Sequence, residues 1–110
     1  MEKEPKPVIY SIQFKQDVID VYKYSIETFG KIHAENYLDN IYRLVDNLYA
    51  IYDIYPECRH LPTKSRMYRW IILDSHLIIY RITATEIQVL RIVHSHRSIS
   101  KIKASREVKL

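Results

Sequence analysis

Ala34, Leu38, Ile41, Val45, Leu48, Tyr52 and Tyr55 follow one another at intervals of 4, 3, 4, 3, 4 and 3 residues. Side chains at that spacing lie on one stripe of an α-helix, so the stretch has to lay that stripe against an apolar neighbour. The seam predicts a long helix over residues 31–55. Pro56 ends it, because proline cannot continue the backbone ladder and biases Tyr55 away from the α conformation.

A second helical run precedes this one. Phe14, Val18, Val21, Tyr22, Ser25 and Phe29 recur three and four residues apart. Asp17 and Asp20 are placed near its N-terminal end, where the helix dipole favours carboxylates. Gly30 is the only glycine in 110 residues. It falls between the two runs, where a helix stops most easily in a positive-φ residue, so the runs form an antiparallel helical hairpin. Extra tyrosines, Tyr37, Tyr42 and Tyr49, flank the seam and are expected to bury their rings with the hydroxyls left in water.

The remainder reads as strands. Residues 8–13 (VIYSIQ) are short and β-branched after Pro7. After a polar loop at residues 57–65, three strands are predicted at 66–73, 76–82 and 86–93, with turns at Asp74–Ser75 and Ala84–Thr85. The turns lack glycine, which favours longer connections over two-residue reversals. Leu77, Ile79, Ile87 and Val89 alternate with Ile78, Tyr80, Ile82, Leu90 and Ile92, so both faces of the sheet are apolar. The order is β-α-α-β-β-β. The expected fold class is α+β, with the helical hairpin packed on one face of a small, mainly antiparallel sheet. One domain is expected over residues 1–110, with an N-terminal extension at 1–7 and a basic tail at 98–110. That tail is either a short helix or a segment that orders on binding.

Composition narrows the function classes. At 47% hydrophobic residues and 10 tyrosines the chain is not of disordered type. Its single cysteine, Cys58, allows no internal disulfide, which fits a reducing compartment. No stretch has the apolar length of a signal peptide or a membrane span, so a soluble cytoplasmic protein is expected, with no membrane partner. Charge is divided unevenly. Residues 1–58 hold six Lys/Arg against ten Asp/Glu, and residues 59–110 hold eleven against three. A basic half of that kind either steers toward nucleic acid or an acidic protein, or serves only to keep a sheet soluble.

Certain stretches carry a family likeness. "FGKIHAENYLDNIYRLVDNL", the "YP" before the basic loop, "RMYRWIILDSHLIIYRI" and "IQVLRIVHSHR" stand in an order that resembles the RelE/ParE superfamily of type II toxin–antitoxin toxins. They look closest to its ParE-like branch, often labelled plasmid-stabilisation proteins. The resemblance covers roughly residues 8–98. It implies a compact toxin, wrapped and neutralised by a cognate antitoxin and assembled as a homodimer or as a heterotetramer with that antitoxin. RelE-like members cleave mRNA on the ribosome with basic sheet residues, a middle-strand arginine and a C-terminal arginine and tyrosine. ParE-like members mostly lack that set and poison DNA gyrase.

Carried onto this chain, the nuclease set is incomplete. The middle-strand arginine position falls at or beside Leu77. Arg69 matches a basic residue of the first sheet strand. His94, His96 and Arg97 occupy the region of the C-terminal arginine, and no tyrosine follows. Metal-free RNA cleavage needs a base, an acid and a cation for the charged phosphorane, and these four residues are the candidates to supply them. The competing reading makes His94 and His96 recognition or packing residues.

Lys64, Arg66, Arg81, Arg91, Lys101 and Lys103 are the candidate partner-binding cations. Arg81 and Arg91 lie in apolar stretches and each needs a partner. Either Glu86 or Asp74 supplies one internally, or both arginines belong to a basic floor, on the sheet face away from the hairpin, that accepts antitoxin carboxylates or target phosphates. Trp70 is expected in the core against the helices. Cys58 and His60 with His94 and His96 match no zinc spacing, so neither a metal nor a cofactor is expected.

Overall fold

The computed structural model describes residues 4–96 and 99–110. Strand β1 (Val8–Tyr10) leads into α1 (Ile12–Phe29), followed by α2 (Lys31–Asp46) and the short α3 (Leu48–Ile51). Strands β2 (Tyr68–Ile72), β3 (His76–Ile82) and β4 (Ile87–His94) come next, then α4 (Ile99–Ala104) and a 3₁₀ turn, Ser105–Glu107. The architecture is α+β, as the periodicities predict.

The sheet runs β1-β4-β3-β2. Strands β2, β3 and β4 form the antiparallel meander, and β1 joins the outer edge of β4 in parallel. Residues 73–75 and 83–86 connect the meander strands with no positive φ in either link. A register shift separates the Ile79–Arg91 pair from the Tyr80–Val89 pair, which leaves Leu90 as an extra residue in β4.

Ser11 fixes where β1 becomes helix. Its hydroxyl accepts the Phe14 N–H at 2.8 Å, capping α1, and donates to the Leu90 carbonyl at 2.7 Å. Gly30, at φ 89°, joins α1 to α2 alone. Its N–H closes α1 on the Ile26 carbonyl, and its own carbonyl receives the Ala34 N–H. The predicted helix over 31–55 is interrupted at Asn47, whose N–H is shared between the carbonyls of Arg43 and Val45. Asparagine is a poor interior helix residue, and the ladder tightens there. Val45, Leu48 and Tyr52 stay buried across the break. Beyond it, the Tyr52 carbonyl receives the buried Tyr80 hydroxyl at 2.6 Å.

The hairpin face of the sheet buries Phe14, Val18, Ile41, Val45, Leu48, Ile71, Ile78, Tyr80, Val89 and Ile92 in one cluster. The other face carries a second core and is not an open floor. There Cys58 and Leu61 of the loop and Ile102 of α4 pack on Tyr68, Trp70, Leu77, Ile79, Leu90 and Val93, with Met67 and Val108 alongside. A two-sided apolar sheet has to be covered twice, and the chain's own loop and tail supply the second cover. Trp70 is therefore core, but on the face away from the helices. The tail is a short helix docked on the sheet.

Candidate binding site at the histidine rim

The arginines proposed for the far face are engaged by their own chain. Arg69 donates its Nε to the Arg66 carbonyl at 2.9 Å, and its Nη1 to the carbonyls of Asp53 and Tyr55 at 3.0 and 2.8 Å. Arg81 donates to Gln88 Oε1 at 2.6 Å, to the Tyr68 hydroxyl at 3.3 Å and to the Val108 carbonyl at 3.2 Å. Arg91 grips Asp17 through two contacts of 2.9 Å. Neither Glu86 nor Asp74 is the partner of Arg81 or Arg91. Arg81 has no carboxylate at all among the described residues, and carbonyls with one amide take that role. The basic floor fails because these guanidiniums complete the fold.

Lys64, Arg66, Lys101 and Lys103 are exposed. Arg66, at φ 56°, stands 3.8 Å from the Glu57 carboxylate, an exposed arginine beside a half-buried glutamate. Lys101 and Lys103 lie on α4, which holds its Ile102 side inward. Arg97 lies outside the described residues.

The histidines do come together. His94 ends β4 and pairs across the sheet with His76, the first residue of β3. Their rings are 5.5 Å apart and edge to face, and the rings of His94 and His96 are 5.6 Å apart. His94 Nδ1 accepts the His96 backbone N–H at 3.3 Å, which ties the two through a turn rather than along one strand. On the other side the Tyr37 hydroxyl meets His76 Nδ1 at 2.7 Å. The ladder continues along α2 to His33, stacked on Tyr37 at 6.5 Å, and from there to Phe29 at the end of α1, 4.8 Å from His33.

Burial sets the protonation of this rim. His76 is 8% exposed, and desolvation pushes its imidazole below the ordinary value, with a smaller push from His94. The Tyr37 hydroxyl is pushed up to about 12, first by burial and then by the Asp74 carboxylate, against the Ser75 N–H that bonds to it. A neutral His76 hydrogen-bonded to a protonated tyrosine follows. Cys58 is fully buried in the far-face core, and burial raises its thiol pKa, so it stays protonated. Among the described residues no three His, Cys, Asp or Glu side chains converge as a metal site.

Two cavities adjoin the rim. One, of ≈ 380 Å³, is lined by Asp17, Asp20, Tyr24, Arg91 and Lys101 as well as His76 and His94. The other, of ≈ 240 Å³, lies among Tyr24, Phe29, His33, Tyr37, Asp74 and His76. Sequence reasoning singled out His94 and His96 but not His76, Tyr37 or His33. The available signal was the Asp74–Ser75 turn, which places His76 at a strand start beside the strand end carrying His94.

Three comparisons bear on identity. A family model described as the ParE toxin of the type II toxin–antitoxin system, parDE, matches residues 8–99. Among solved structures, a chain of the chromosomal ParDE toxin–antitoxin system from P. aeruginosa superposes with a TM-score of 0.68 at 18% identity, covering 84% of this chain and 98% of that one. A chain of the RelBE2 toxin–antitoxin complex from Mycobacterium tuberculosis does so with a TM-score of 0.59 at 14% identity, covering 88% of this chain and 100% of that one. No curated protein matches. Among the described residues no helix is long and apolar enough to cross a membrane. At these identities the superpositions speak for the fold, and the family match spans most of the sequence: the chain belongs to the ParE toxin family of type II toxin–antitoxin systems.

Proposed function

We propose that this toxin arrests growth by binding a large target, DNA gyrase by analogy with its family, and that a cognate antitoxin neutralises it by covering part of its surface. The observation that carries a binding role over a chemical one is the engagement of Arg69, Arg81 and Arg91 by the chain's own carbonyls, amide and carboxylate. Phosphoryl chemistry without a metal needs a cation free to meet the charge that develops on phosphorus. A guanidinium already holding the fold together is poorly placed to supply it. Leu77, at or beside the middle-strand arginine position of RelE-like nucleases, is buried.

One observation favours the rival, an mRNA endoribonuclease. His76, His94 and His96 form a contiguous set of imidazoles at the rim, with Arg97 next in sequence. Imidazoles are suited to exchange protons near neutral pH.

Induction of the chain in growing cells separates the two. The binding role expects gyrase–DNA adducts and an SOS response, with mRNA left uncut in the parent chain as in His94→Ala/His96→Ala and Arg97→Ala variants. Rapid loss of translation with mRNA cut at fixed codon positions, abolished by those substitutions, would replace it with the nuclease. Co-expression of the gene beside this one, with growth restored, tests the antitoxin.

A further inference from the structure

The end of the sheet beside Gly30 is hollow. The smaller cavity opens between the last turns of α1, the first turns of α2 and the Asp74–Ser75 turn. Tyr24, Phe29, His33 and Tyr37 line it with aromatic or imidazole rings, and His76 and His94 add two more imidazoles. Phe29 and Tyr24 stay 61% and 57% exposed at this site.

Asp74 is the only Asp, Glu, Lys or Arg among the residues lining this cavity, and no ion pair among the described residues engages it. Its charge is felt inside, since it helps to raise the Tyr37 hydroxyl. The Tyr37 hydrogen bond occupies His76 Nδ1. A carboxylate beside a group of π-systems attracts a cation and disfavours an anion.

The shape says what kind of cation. Val21, Tyr24, His76 and His94 line both cavities, so the two form one groove that runs from the hairpin joint past Asp20 toward Lys101. Adjoining cavities of ≈ 380 and ≈ 240 Å³ hold more than a single side chain and suit an extended stretch of polypeptide. We propose that this groove binds an extended segment of a partner protein and that its inner cavity receives an arginine or lysine side chain of that segment. Arginine fits better, since a planar guanidinium stacks on rings while forking to a carboxylate. The inference goes beyond the choice between gyrase and mRNA and does not depend on it.

The test is an NMR titration of the isotopically labelled full chain with a capped Gly-Arg-Gly peptide, its citrulline counterpart and adenosine monophosphate. The arginine peptide is expected to move the ring signals of Phe29, His33 and Tyr37, with the citrulline peptide about tenfold weaker. Asp74→Asn, which keeps the turn's hydrogen-bonding capacity, is expected to weaken the arginine peptide by about tenfold as well. Should Asp74→Asn disturb the amide spectrum, Phe29→Ala on an exposed position reads the same loss. Equal binding of citrulline, indifference to both substitutions, or preferential binding of adenosine monophosphate at these rings would each overturn the proposal.

Discussion

Asp17 on α1 and Arg91 on β4 form a two-pronged ion pair, Nε to Oδ2 and Nη2 to Oδ1, both at 2.9 Å. The same carboxylate accepts the Ile92 backbone N–H at 3.2 Å. The position explains the need. Strand β1 ends at Tyr10, opposite Val89, and Ser11 makes the last bond to that edge. Beyond it β4 has no strand on its outer side, and Asp17 takes the place of the missing partner.

Breaking this pair from either side is expected to destabilise the fold. Asp17 is 7% exposed, and the Arg91 side chain 18%. Asp17→Ala strands the Ile92 N–H, and Arg91→Ala strands a buried carboxylate. Each should cost about 3 kcal/mol in chemical denaturation. The double variant Asp17→Leu/Arg91→Met should cost less than Arg91→Ala alone, because no charge is then left buried. Equal costs for the single and double variants would mean that the pair is solvated rather than built in.

His76 makes stability depend on pH. Its folded-state pKa is depressed, mainly by burial, so the folded chain resists a proton that the unfolded chain accepts at about 6.5. Its contribution is therefore present above that value and lost as pH falls toward the folded-state pKa. Denaturation midpoints should drop between pH 7.5 and 5.5, by at most about 1.4 kcal/mol per pH unit for this one group. His76→Phe should flatten that part of the profile, and Tyr37→Phe should lower stability by about 1 kcal/mol at neutral pH.

The parts of this architecture that were legible in the sequence are those governed by local periodicity. Gly30 marked the hairpin joint, Ala34 to Tyr52 the buried seam, and the Asp74 and Thr85 turns the meander. Features set by distant contacts were not legible. Arg91 finds Asp17 across 74 positions rather than the nearby Glu86 or Asp74. The extra residue at Leu90 matters more for the site. The pairing of Ile82 with Ile87 would, without it, set His76 opposite Val93; the shift brings His76 opposite His94 instead. A bulge of this kind leaves no mark in an unbroken apolar run such as "IQVLRIV". Of the two readings of the tail the short helix is the one observed, while the place where it docks was not legible for a related reason. Its lysines are visible as charge, whereas Ile102 is a single apolar residue whose burial depends on a sheet face some distance away.

That tail gives a third expectation. Ile102 is 3% exposed against the far-face core, and Arg81 donates to the Val108 carbonyl. Ile102→Ala should cost about 2–4 kcal/mol, a value typical of a filled core site. Removal of residues 99–110 should expose Trp70, Leu77 and Val93 and produce binding of a hydrophobic dye. A truncated chain with unchanged denaturation and no dye binding would show that the second core holds without the tail.

Arg69 gives the sharpest separation of structure from chemistry. Its side chain donates to the carbonyls of Asp53, Tyr55 and Arg66, which fastens the end of the seam and the basic loop to β2. Lysine keeps the charge but not the fork. Arg69→Lys should therefore lower stability by about 1–3 kcal/mol while the folded fraction keeps its full growth inhibition per molecule. A catalytic Arg69 predicts the opposite pattern, with near-native denaturation and a large fall in toxicity, because the loss would then lie in the reaction rather than in the carbonyl contacts. Measuring both quantities on one variant decides between a guanidinium that builds the sheet's edge and one that acts on a phosphate.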